Sequence, residues 1–182
     1  MDEKLAAQDV ASAAMTARNG HAESVEAQGR YRMECVAADG AVNWVEEFDN
    51  LVTTVGKNSL LDVGLGGSAF TAYALGLVDG GAAPTYAAAD TMASHAGWTE
   101  NTGYSNATRP APTFNAASAG SKATTATAFT INATGTIAGA FLTTGTAKGG
   151  TTGTLYSNGS FSANRSVLNG DTLNVTYTAT IT

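Results

Sequence analysis

The chain has 182 residues and a net charge of −6, with 43% apolar but only 13% charged side chains. That charged share is about half the usual fraction, and the acidic balance excludes a general nucleic-acid binder, which needs a basic footprint to release phosphate counterions. A lone Cys excludes an intrachain disulfide framework. No run reaches the roughly 18 apolar residues of a membrane helix, so no membrane partner is expected either.

The charge is unevenly placed. Residues 1–100 carry 14 acids and 5 bases, whereas residues 101–182 carry one acid, Asp171, against Arg109, Lys122, Lys148 and Arg165. Such polarity can join copies head to tail or set an acidic face against a basic partner. It is equally what Thr-rich C-terminal strands produce with no partner involved.

Residues 1–28 form the first unit, an N-terminal arm. MDEKLAAQDVASAAM is acidic and lacks the apolar stretch of a secretory leader, so a cytoplasmic chain is expected. Helix formers dominate, but Leu5, Val10 and Met15 are too sparse for a broad apolar stripe, and Asn19-Gly20 breaks the run. The arm is flexible or helical. It either orders on a partner through those three residues or remains a tail.

Residues 29–182 read as one β-sandwich or jelly-roll-like domain. In RYRMEC, Tyr31, Met33 and Cys35 alternate with charged residues, the pattern of a half-buried strand. Asp39-Gly40 then marks a hairpin, because both residues tolerate positive φ. In the return strand Val42, Trp44 and Glu46 share a side, and a bulge is expected near Glu46-Glu47, before Phe48. Trp44, as a core residue, is expected to cost about 3–5 kcal/mol on truncation to Ala. GKNSLLDVGL, residues 56–65, predicts a short helix capped by Asn58 or Ser59 and stopped by Gly66-Gly67. Glu46, Glu47 and Asp49 form a solvated edge or an interface rim.

SAFTAYALGLVDGG predicts a strand. A loop follows in which Asp90 caps one helical turn over Thr91 to Ala96, giving one or two short helices in all. Trp98 and Tyr104 anchor this excursion, or else stand exposed with Tyr86 as binding residues. Arg109-Pro110 and Pro112 mark a turn region. ATAFTINATGTIAGAFLTT splits at residues 133–135 into two strands. Asn158-Gly159 predicts another hairpin, and Asn169-Gly170-Asp171 turns into TLNVTYTATIT. There Leu173, Val175, Tyr177, Ala179 and Ile181 alternate with polar residues. The total is seven or eight strands.

Reactive equipment is sparse. Cys35 packs as a small apolar strand residue, and neither it nor His21 and His95 offers zinc-ligand spacing. A Cys35–His95 nucleophile pair is remote, since a buried strand Cys is normally inert. GLGGS at 64–68 lacks the surroundings of a phosphate loop. Glu46 or Glu47 with Asp79 or Glu100 is the best pairing for a glycosidase, and nothing lifts it above surface acids. Asp79, Asp90 and Asp171 are too dispersed for calcium. The expectation is no catalytic residue, no metal and no cofactor.

The segment GRYRMECVAADGAVNWVEEFDNLVTTVGKNSLLD resembles the opening of small structural proteins of tailed bacteriophages. ADTMASHAGWTE, YSNATRPA, KGGTTGTLYS and RSVLNGDTLNVTYT resemble further stretches of that group, so the resemblance spans roughly residues 29–182. It implies a virion component, either a capsid decoration (cement) protein or a tail or neck fibre. For a cement protein, the implied partner is the major capsid protein and the location is the capsid surface, after a period in the host cytoplasm. Self-association as a trimer is expected. The candidate interface residues are Leu5, Val10, Met15, Glu46, Glu47, Asp49, Trp98 and Tyr104.

Overall fold

Two antiparallel sheets face each other across an aromatic core in the computed structural model, which describes residues 25–182. Among the described residues the chain forms ten strands and one helix. Strands β1 (Ala27–Val36) and β2 (Val42–Asp49) make the expected hairpin, with Gly40 at φ 89° in its turn. Trp44, Glu46 and Phe48 keep one phase, so no bulge lies near Glu46-Glu47. The irregularity is at the turn end, where Cys35 pairs with Trp44 but Val36 pairs with Val42. The sheet itself starts at Ala27, two residues before the expected domain boundary.

Asn50 ends the hairpin, and β3 (Leu51–Val52) crosses to the second sheet, where it pairs with Ser157 and Asn158. Helix α1 (Thr54–Gly64) follows at once. Its cap is neither Asn58 nor Ser59. Thr53 is extended at φ −69° and ψ 161°, and its hydroxyl accepts from the Gly56 N–H at 3.0 Å. That arrangement satisfies one orphan donor of the first turn, so the helix begins two residues early. Gly66, at φ 90°, ends it as expected. The segment from Val42 to Asp62 is therefore a corner carrying the chain from one sheet to the other.

β4 (Ala74–Asp79) takes only the second half of its expected strand, and β5 (Glu100–Asn101) pairs with it. The intervening segment holds no helical turn. Asp90 does not cap a helix but accepts from the Ala87 N–H and the Trp98 indole, and residues 91 and 94 form a tight bridge. β6 (Ser121–Ala123) and β7 (Thr127–Thr130) follow, then β8 (Gly135–Thr143), β9 (Leu155–Val167) and β10 (Thr172–Ile181). The first sheet runs β2-β1-β10, with β6 and β7 sharing the far edge of β10; the second runs β3-β9-β8-β4-β5.

Asn158-Gly159 makes no hairpin. Both residues lie inside β9, where Asn158 is buried opposite Phe141. Gly159 is used for close approach instead: a Cβ there would meet the Asp49 carbonyl and the Phe48 ring, at 2.9 and 3.1 Å. Backbone contact that tight selects glycine as strongly as a turn does. Farther on, β9 bulges between the Gly139–Ser160 and Ile137–Arg165 pairs and directs Phe161 into the core.

The main core lies between the sheets, around Tyr31, Phe48, Phe129, Phe161, Val175 and Tyr177. A second, smaller core lies on the outer face of the second sheet. There Met92 and Trp98, from the 82–99 segment, cover Val78, Ala138, Phe141 and Leu155. The chain is thus two sheets plus an irregular third layer.

Candidate functional site

The chemistry-bearing side chains are dispersed and engaged one by one. The Cys35 thiol is buried and donates to the Asp171 carboxylate at 3.4 Å. Burial, partly offset by the Asn43 amide and reinforced by Asp171, pushes the thiol up to about 11, so it stays protonated and unreactive at neutral pH. Asp171 also accepts from the Leu168 N–H at 2.8 Å and closes the turn before β10. His95 belongs to the other core, stacked on Trp98 at 3.9 Å, so the fold does not bring Cys35 and His95 together.

The acids proposed as a pair are likewise separate. Glu46 binds Arg165, Asp79 accepts from the Asn101 amide at 2.8 Å, and Glu47 and Asp49 lie along Arg30 and Arg32 on the outer face of the hairpin. Glu47 and Asp49 are exposed, so this edge is solvated as expected, with its acids interleaved with Arg30 and Arg32. Among the described residues no group of three or more His, Cys, Asp or Glu stands close enough to hold a metal, and no helix is long and apolar enough to cross a membrane.

A buried charge knot escaped the sequence reading. Arg109 and Glu100 form a two-pronged pair, at 2.9 and 2.7 Å, with both side chains almost fully enclosed. Arg109 also donates to the Gly145 and Gly150 carbonyls at 2.8 Å each, while the Gly149 N–H donates to Glu100 at 2.7 Å. The guanidinium sits 5.2 Å from the Phe141 ring centre. Every strong donor and acceptor here has a partner, so the knot is structural. Residues 101–182 hold only one acid, and Arg109 pairs instead with Glu100, the last acid before that stretch. Arg165 does the same with Glu46. The charge polarity of the sequence is thus partly cancelled within the fold.

Trp98 and Tyr104 are buried. Trp98 fills the second core and donates to Asp90 at 3.2 Å, and Tyr104 lies edge-on to Phe129 at 5.0 Å in the main core. Tyr86 packs against the second core too. These residues anchor the excursion, Trp98 and Tyr104 fully inside and Tyr86 half-buried. Leu5, Val10 and Met15, with His21, lie outside the described residues.

What remains open is an apolar groove of about 360 Å³ beneath α1, near the last residues of β10. Of the helix's eleven residues only Gly56 is buried, pressed against the Tyr156 carbonyl where a Cβ would clash. The helix is gripped at its first turn, by Thr53 and by a 2.8 Å bond from the Thr54 N–H to Ala88, and beyond it Leu60 packs against the main core while Leu61 and Leu65 are exposed. Leu60 and Val63 roof the space, and Tyr73, Phe114, Tyr156 and Ile181 line it. Phe70, 63% exposed, stands at its mouth beside Tyr73, with ring centres 5.8 Å apart. Lys122, whose ammonium is 5.9 Å from the Phe114 ring centre, is the one charged residue of the lining. Ile181 is 51% exposed, and Leu61 and Leu65 on α1 are 58% and 84% exposed. The sequence hid this groove because Phe70 and Tyr73 precede β4 in an irregular Ala/Thr run, with no periodicity to place them. No family model matches the chain, and no curated protein matches it.

Proposed function

We propose that the protein is a non-catalytic virion component of a tailed bacteriophage, a decoration or cement protein that binds the capsid exterior and stabilises the shell. Its partner is the major capsid protein, reached from the host cytoplasm, and it self-associates, with a trimer as the expected form. The observation that carries this reading is the apolar groove beneath α1, whose lining includes the exposed Phe70 and Ile181. Contiguous exposed apolar surface of this kind marks a protein-interaction site. The charged side chains point the same way, since the strongest are spent on intrachain pairs and leave apolar fit to drive docking. The resemblance in the first hairpin and the corner that follows supplies the phage context. A tail or neck fibre is the alternative reading; Trp98 and Tyr104, buried in the two cores, would not be its contact residues.

The test is the copy number in purified particles, combined with cryo-electron microscopy of the same sample. Many copies at regular sites on the head, with the α1 end facing the shell, support the reading. A few copies at the tail or neck, or absence from the particle, overturn it.

A further inference from the structure

The groove beneath α1 is closed to one kind of partner by its own backbone. Along its floor, Ala179 of β10 pairs with Gly29 on one side and with Lys122 on the other. Ile181 pairs with Ala27, and its N–H donates to the Gly120 carbonyl at 2.9 Å. β6 is paired in turn, its Ala123 carbonyl accepting from the Asn115 N–H at 2.9 Å. These strands therefore leave no edge at the groove for an extended peptide to join. Recognition here runs through side chains, and a volume of about 360 Å³ suits a few inserted ones.

The one charged residue of the lining decides what accompanies them. Lys122 is exposed, and its ammonium stands 5.9 Å from the centre of the Phe114 ring, an attraction that holds it at the rim. Among the described residues no carboxylate comes within ion-pair distance of it. A purely apolar occupant would shut this ammonium off from water with no counter-charge, and an uncompensated buried charge is strongly unfavourable. An occupant that sets a carboxylate beside its apolar anchors turns the same charge into a shielded, hydrogen-bonded pair.

We infer that the groove takes a short acidic and apolar segment, with large apolar side chains inserted beneath α1 and an adjacent Asp or Glu on Lys122. The inference rests on the capsid reading, and the segment belongs to the major capsid protein. Apolar fit supplies most of the affinity, while the Lys122 pair sets the direction in which the segment lies.

The test uses purified particles carrying the full chain, treated with a water-soluble carbodiimide. This reagent joins a lysine amine directly to a carboxylate in contact with it, and mass spectrometry maps the products. The expected result is an amide from Lys122 to an Asp or Glu of the capsid subunit that has large apolar residues beside it. Lys122→Arg, whose guanidinium is not coupled, should keep its occupancy of the head and lose that bond. Lys122→Glu should lower occupancy about tenfold, with an unchanged urea midpoint because position 122 is exposed. Coupling of Lys122 only to carboxylates of this chain or of a second copy overturns the inference, as does a Lys122→Glu chain that binds like the unsubstituted one. An unsubstituted chain absent from the head sinks the capsid reading and this inference together. Normal occupancy with no coupling at Lys122 sinks the inference alone.

Discussion

The first sheet has a wet outer face, while the second is covered on both sides through its centre. Along Tyr31–Cys35 of β1 and Leu173–Tyr177 of β10 every second residue is buried, and the outward positions are Arg30, Arg32, Glu34, Asn174, Thr176 and Thr178. In β4, β8 and the start of β9 almost every residue is buried, because the 82–99 segment packs over the face turned away from the main core. The difference sets the side chains. A strand with one wet face alternates, whereas a strand enclosed on both faces must fit between two layers. There the chain uses Gly159 against Phe48 and Asp49 of the first sheet, and Gly76 beneath the Phe141 ring. Small residues let the layers approach, and a few large ones, Phe141 and Trp98 above all, fill the space that is left.

Substitutions at four positions and a pH series test this contrast. The largest effect belongs to Arg109→Ala, which leaves Glu100 buried without its partner and two carbonyls unpaired. A loss of about 3–5 kcal/mol in urea unfolding is expected, and Arg109→Lys should recover little because the ammonium lacks the guanidinium fork. A loss below about 1 kcal/mol would show that the third layer is held by something else.

Next comes the pair of tryptophans. Trp98→Ala empties the second core and should cost about 3–5 kcal/mol. Trp44 is only partly buried, edge-on to Phe161 at 5.6 Å, with its indole N–H on the Ser166 carbonyl at 3.1 Å. Its truncation should cost about half as much, less than the sequence led one to expect. Equal costs would erase the distinction between an enclosed layer and a partly wet one.

Alkaline pH probes both cores together. Burial holds all six tyrosines above the ordinary 10.0, Tyr73 and Tyr86 at about 12, and holds Cys35 at about 11 against an ordinary 9.0. The unfolded chain therefore releases these protons first. Their contribution to stability is complete below about pH 9 and falls as pH rises through the folded values. Urea midpoints should decline steadily from pH 9 upward, and phenolate absorbance should appear together with unfolding. Phenolate forming near pH 10 in folded protein would contradict the enclosure of these rings.

The smallest effect is expected on the wet face. Glu47→Ala removes one exposed partner of Arg30 and Arg32 and should change stability by no more than about 0.5 kcal/mol, less in high salt. A larger loss would mean that the outer ladder contributes more than screened charge.

The same contrast explains what could be read in advance. The hairpin at Asp39-Gly40, the turn at Asn169 to Asp171 and the alternation of β10 were legible, because each is local or rests on one wet face. Asn158-Gly159 misled, since a glycine needed for interlayer contact carries the same letter as one needed for a turn. Asp90 misled in a similar way: its carboxylate suits a helix cap, but the Trp98 indole and the Ala87 N–H claimed it. The Glu100–Arg109 knot joins residues nine apart through carbonyls more than thirty residues farther along, and no spacing rule covers that.

By itself the sequence determined the β class, the main hairpin, the glycine that ends α1 and the inertness expected of Cys35, because these follow from residue chemistry and short-range periodicity. Only the tertiary structure decided that the second sheet carries a third layer, that Trp98 and Tyr104 face inward, and that an apolar groove opens beneath α1. The physical reason is one of reach. Periodicity tells which side chains share a face, but what covers that face is set by segments distant in the chain.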